Sequence, residues 1–173
     1  MNGINAFATF AGIMVGILLA VILIKAANRD GRFKTEYDER QEVVRGKGFK
    51  YSFYTMIILS GVKICLEAGE IELPIHRAVQ AFGFMAICVL VYVTYAIMND
   101  AYFGLNNKID RYILIFAILA VVQTASAVAQ GISGELIVDG ILGFGGCSIV
   151  CAFLFVWIFA LMIIKKATDG KEE

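Results

Sequence analysis

Proline, histidine and tryptophan each occur once in this 173-residue chain. With His76 as its single histidine, the chain lacks the two ligands of a bis-histidine haem and the H-E-x-x-H pattern of zinc proteases. A Walker-type glycine loop and the G-x-S-x-G elbow of serine hydrolases are also missing. No acidic residue stands in the middle of a long apolar run, where a proton-coupled carrier usually keeps its carboxylate. The one proline, Pro74, falls between apolar runs and leaves their interiors free of helix breaks. Four cysteines, Cys65, Cys88, Cys147 and Cys151, all lie in apolar runs. Cys147 and Cys151 are four apart, which is not C-x-x-C spacing, and no histidine accompanies them. They read as small apolar residues. These absences remove the common enzyme chemistries. The expectation is a non-enzymatic protein with no cofactor and no metal, and with no DNA-reading motif for direct contact with nucleic acid.

What the chain does have is apolar length. Hydrophobic residues make up 60% of it, against about 45–50% in a soluble domain. A helix needs about 20 apolar residues to cross a hydrocarbon core of ~30 Å. Five runs meet that length: residues 4–26, 50–68, 78–98, 112–130 and 141–164. They are apolar on nearly all sides, unlike the striped helices of a soluble protein. The expected fold class is therefore all-α, one membrane domain over residues 1–173. It is an integral membrane helical bundle of five transmembrane helices, multi-pass in the cell membrane and in contact with the lipid bilayer.

Charge segregation predicts the orientation. Thirteen of the fifteen basic residues fall in the stretches between Lys25 and Lys50, at Lys108 and Arg111, and after Lys165. Only Arg77 falls on the opposite side, and Lys63 lies inside a run. The positive-inside rule then puts the N-terminus outside, the C-terminus in the cytoplasm and the segment 27–49 in the cytoplasm. The first run has no positive charge before it and several after it. That arrangement predicts a retained N-out anchor rather than a cleaved leader.

The polar segment divides in two. Asn28-Arg-Asp-Gly is turn-like, and Lys25 to Lys34 reads as a positive anchor. From Asp38 the pattern becomes a helix, with Asp38 or Thr35 as cap and acidic residues in its first turn. It is expected to run through Tyr51 into the second run, with Gly46 and Gly48 as a joint at the membrane surface. Asp38, Glu39 and Glu42 interleave with Arg40, Arg45, Lys47 and Lys50. Those bases would attract anionic lipid, and the mixed signs suggest a structured helix facing the loop from Asp100 to Lys108 or a protein partner.

Inside the runs, Lys63 and Glu67 are one turn apart on one face. Lys63 either snorkels outward beside Glu67 or marks a transport path. Gln123 and Gln130 fall on one face of the fourth run; they either bond between helices or line a polar path. Ala8, Gly12, Gly16 and Ala20 form a small-residue ladder, which serves either a homodimer or packing within the chain. Gly140, Gly143 and Gly146 suggest a second close helix contact.

The Asp38-Glu-Arg-Gln run, followed by Arg45-Gly-Lys-Gly-Phe-Lys-Tyr, resembles a group of small multi-pass membrane proteins of Gram-positive bacteria, as does Asp100-Ala-Tyr-Phe-Gly-Leu-Asn. The resemblance covers about residues 37–108 and implies membrane residence without implying an activity. The expected function is an interaction or regulatory component with a cytoplasmic docking face made of Asp38, Glu39, Arg40, Arg45, Lys47, Lys50 and Asp100. The alternative is a small transporter or channel using Lys63, Glu67, Gln123 and Gln130.

Overall fold

The computed structural model describes residues 22, 25, 35–105, 109–134 and 136–169. Among them are four long helices: α1 (Glu39–Ala68), α2 (Arg77–Met98), α3 (Ile109–Ile132) and α4 (Gly146–Asp169). Each is long and apolar enough to cross a membrane. Their outward faces carry large apolar side chains such as Ile58, Leu114, Val121 and Trp157. Such a surface suits lipid, where the backbone must satisfy its own hydrogen bonds and helices do so. The first apolar run, residues 4–26, with Gly12 and Gly16, lies outside the described residues apart from Ile22 and Lys25.

The helices alternate in direction. The packed pairs are α1 with α2, α2 with α4, and α4 with α3. The bundle thus has a Gln41 end and a Pro74 end. Its core of Val93, Ile97, Ile158, Leu161 and Met162 lies toward the Gln41 end, flanked by Tyr102, Phe103 and Tyr112.

Helix α1 starts where the sequence predicts. The Asp38 side chain accepts from the Gln41 backbone N–H at 2.6 Å, and the Gln41 side chain accepts from the Asp38 N–H at 3.3 Å. This reciprocal capping box satisfies two N–H groups that the first turn leaves without helical partners. The helix then runs unbroken to Ala68, so Gly46 and Gly48 form no joint. Gly46 is exposed with open space around it. Gly48 is buried, and a Cβ there would stand 3.1 Å from Cδ2 of Tyr92. It is a close-packing glycine, and its missing side chain lets α1 approach the ring.

The expected fifth span from Ile141 begins at Gly146 instead. Before it, β1 (Ile137–Val138) pairs antiparallel with β2 (Ile141–Leu142). Asp139 and Gly140 connect them with φ of 52° and 76°. Two successive positive φ values make the tight hairpin turn that Asp-Gly favours. Leu142 also joins the connection between α1 and α2: its N–H donates to Pro74 O at 2.9 Å and its carbonyl accepts from His76 N–H at 2.8 Å. Gly146 sits against Leu142 and Val79 so closely that a Cβ would meet Leu142 at 2.9 Å.

Candidate functional site

Charged and polar side chains gather at the two ends of the bundle. At the Gln41 end, the capping residue of α1 also fastens the helix to the α2–α3 loop. Gln41 Nε2 donates to Asp100 O at 2.8 Å and to Phe103 O at 3.0 Å. Leu105 N–H donates to Glu36 O at 2.8 Å. The strands of chain meet so tightly that a Cβ on Gly104 would run into the Thr35 side chain and the Glu36 carbonyl. The two segments expected to form a docking face are thus joined to each other over residues 36–41 and 100–105; Lys108 lies outside the described residues.

Asp100 is held from three sides. It ends α2 with φ 57°. The bonds Ala101 N→Ala96 O and Asp100 N→Ile97 O close a Schellman motif around it. Its carboxylate pairs with Lys165 at 2.9 Å, tying the loop to α4. Next to it, Lys166 pairs with Asp110 at 2.6 Å, joining α4 to the start of α3.

Arg45 is built into the bundle. Its Nε donates to the Tyr92 hydroxyl at 3.1 Å, and its guanidinium lies 3.6 Å from the centre of the Tyr37 ring. Phe49 stacks on Tyr92 with ring centres 4.4 Å apart. Burial pushes the Tyr37 and Tyr102 phenols above the ordinary tyrosine range; for Tyr37 the nearby Arg45 charge acts in the opposite direction. The remaining predicted residues, Asp38, Glu39, Arg40, Lys47 and Lys50, are exposed on α1 and its cap.

At the Pro74 end, Lys63 and Glu67 pair across one turn at 3.7 Å. They line a cavity of about 950 Å³ with Glu70, Glu72, His76 and Arg77. His76 caps α2: its Nδ1 accepts from the Ala78 N–H at 3.2 Å, leaving Nε2 as the donor of the neutral ring. Gln80 Nε2 donates to Ile75 O at 2.6 Å, bracing the loop. The sequence reading missed this gathering. Its signal was that the connection Gly69–His76 and its two flanking turns hold every one of these charges.

Gln130 lies on α3, where its amide donates to Ser148 Oγ of α4 at 2.6 Å and to Ser126 Oγ at 3.3 Å. Gln123 is half-buried on the same helix. Lys63 and Glu67 belong to α1, which packs on α2, whereas α3 packs on α4. The four residues of the transport alternative are therefore not brought together. Among the described residues, no group of three or more His, Cys, Asp or Glu is placed to hold a metal ion.

The class that fold and ends define is a helical bundle whose helices suit a membrane. Compared with family models, curated proteins and solved structures, the chain matches none.

Proposed function

We propose that this chain is a non-enzymatic, multi-pass protein of the cell membrane that acts as an interaction component through a preformed cytoplasmic docking face. In this reading residues 4–26 supply a fifth span, the N-terminus lies outside, and the Gln41 end faces the cytoplasm, as the excess of Lys and Arg at that end favours. The observation that carries the reading is the pair of hydrogen bonds from Gln41 to the α2–α3 loop. They hold the first turns of α1 against the bundle, so the backbone that presents its exposed side chains is already ordered when a partner arrives.

Charge balance selects a protein partner over anionic lipid. The exposed set comprises three carboxylates, Asp38, Glu39 and Glu42, and three bases, Arg40, Lys47 and Lys50. Each base near an anionic surface contributes about 1 kcal/mol; around Arg40 the neighbouring Asp38, Glu39 and Glu42 offset that, while Lys47 and Lys50 stand further along α1. The outermost turn, Asp38 to Glu42, carries both signs side by side and fits a partner of complementary mixed charge, where charge pattern sets specificity and encounter rate. The test is in-cell photocrosslinking from position 43, comparing wild type with Glu39→Ala/Arg40→Ala/Glu42→Ala. Asp38 stays in place because it caps the helix. Loss of a discrete crosslinked species in the variant is expected; an unchanged set of adducts would refute the docking face.

A further inference from the structure

We propose that the cavity at the Pro74 end is a binding site for a phosphoethanolamine headgroup, carried by a lipid of the outer leaflet. The proposal concerns the opposite end of the bundle; its choice of leaflet rests on the orientation proposed above, and the binding itself does not depend on the docking face. The cavity holds about 950 Å³, within the range of sites that enclose small ligands, roughly 300–1,000 Å³.

Both signs of charge converge on it. Lys63 and Arg77 offer positive charge and N–H donors, and the His76 ring adds its Nε2–H; Glu67, Glu70 and Glu72 offer carboxylates. Lys63 and Glu67 partly satisfy each other. For Glu70, Glu72 and Arg77 no ion pair or side-chain hydrogen bond is found among the described residues. A purely anionic ligand would face three carboxylates, and a purely cationic one would face Lys63 and Arg77. A zwitterion places each of its charges against an opposite one.

The nature of the cation follows from donor chemistry. A primary ammonium has three N–H donors for carboxylate oxygens. A quaternary ammonium has none and is usually held by an aromatic cage. Phe84 is the one Phe, Tyr or Trp among the described lining residues, so no such cage is present. Leu66, Ile71, Leu73 and Ile141 line the same space and give an apolar wall for the glycerol and upper acyl chain. Lys63 lies within α1, about one turn from its end. That depth matches the boundary between headgroups and hydrocarbon, where a long basic side chain reaches the polar layer.

The test uses the delipidated full chain in detergent and native mass spectrometry. The probes are short-chain phosphatidylethanolamine, phosphatidylcholine and phosphatidylglycerol, with glycerophosphoethanolamine as the soluble headgroup. Phosphatidylethanolamine should bind at least several-fold more tightly than the other two lipids. Arg77→Gln and Glu70→Gln/Glu72→Gln should each weaken it by about ten-fold, the scale of a lost charged hydrogen bond. These side chains are exposed, so thermal unfolding should stay as in wild type. Glycerophosphoethanolamine binding as tightly as the lipid would support the charge assignment and make the occupant a soluble zwitterion. Equal binding of the three lipids, or unchanged binding by both folded variants, would overturn the proposal.

Discussion

Gly104→Ala should unlatch α1 from the α2–α3 loop while leaving the bundle core intact. A Cβ at this position meets the Thr35 side chain and, more seriously, the Glu36 carbonyl. The backbone there cannot rotate away without giving up the Leu105 N–H bond to Glu36 O at 2.8 Å. The two Gln41 bonds at 2.8 and 3.0 Å depend on the same juxtaposition. Each hydrogen bond contributes about 1 kcal/mol net, so complete detachment costs ~3 kcal/mol, and partial relaxation brings the range to ~1–3 kcal/mol. The direct assay is amide hydrogen exchange in micelles. Losing ~3 kcal/mol of local opening free energy speeds exchange by about 100-fold at Leu105. Amides around Val93 and Ile97, in the core, should keep their wild-type rates. Gly46→Ala is the matched control: its Cβ meets nothing within 4 Å, so it should stabilise the helix by up to ~1 kcal/mol. Wild-type exchange at Leu105 in Gly104→Ala would refute the latch. Equal acceleration in the core would refute its local character.

Other positions test the remaining contacts. Gln130→Ala removes the 2.6 Å bond to Ser148 and should cost about 1 kcal/mol in detergent unfolding, the scale of hydrogen bonds between membrane helices. Lys63→Met removes an i,i+4 pair whose partner Glu67 has 69% of its side chain exposed. The expected change in unfolding free energy is within ~0.5 kcal/mol, and a loss above ~2 kcal/mol would show that the pair holds the bundle together. Tyr102 has its pKa raised by burial, so the folded form holds the phenol proton more tightly than the unfolded chain does. Its contribution is fully present below the unfolded value of ~10 and falls as pH rises beyond it. Tyr102→Phe should flatten the alkaline loss of stability above pH ~10, and an unchanged slope would refute the assignment.

Three of the five expected spans correspond closely to described helices because apolar length is a strong and local signal. The start of α1 was legible as a helix from Asp38, with Asp38 and Thr35 both open as caps; the structure selects Asp38 and adds Gln41 as its reciprocal partner. Lys63 and Glu67 were legible by helical arithmetic. The start of α4 was not, since Ile141 and Leu142 are as apolar as a span while Asp139-Gly140 marks a hairpin. Hydropathy and turn chemistry point in opposite directions over these residues, and the turn chemistry prevails in the fold. Gly46 and Gly48 look alike in sequence; only the arrival of Tyr92, far along the chain, makes one open and the other tightly packed. Arg45 shows the same limit. Its bond to Tyr92 spans 47 residues, and no local periodicity announces a partner that distant. The cavity at the Pro74 end likewise exists only once the loop after α1 has folded back beside α2.

Among the described residues, three acidic ones adopt the left-handed backbone that normally favours glycine: Glu70, Asp100 and Asp139, with φ of 55°, 57° and 52°. Asp139 belongs to a hairpin turn, where aspartate is a standard occupant. Asp100 gains an ion pair with Lys165 that helps offset its strain. Glu70 has no such compensation among the described residues. It ends α1 in a Schellman motif, with Ile71 N–H on Leu66 O at 2.9 Å and Glu70 N–H on Glu67 O at 3.1 Å. Glycine would serve that motif better by about 1 kcal/mol. If its carboxylate serves the cavity, stability and binding must separate at this position. Glu70→Gly should raise the unfolding free energy by about 1 kcal/mol and at the same time weaken retention of phosphatidylethanolamine. A gain in stability with binding unchanged would leave Glu70 as an uncompensated strained cap and remove one carboxylate from the headgroup site. A loss of stability would show instead that the carboxylate has a structural partner, and the charge argument for the cavity would have to rest on Glu67 and Glu72 alone.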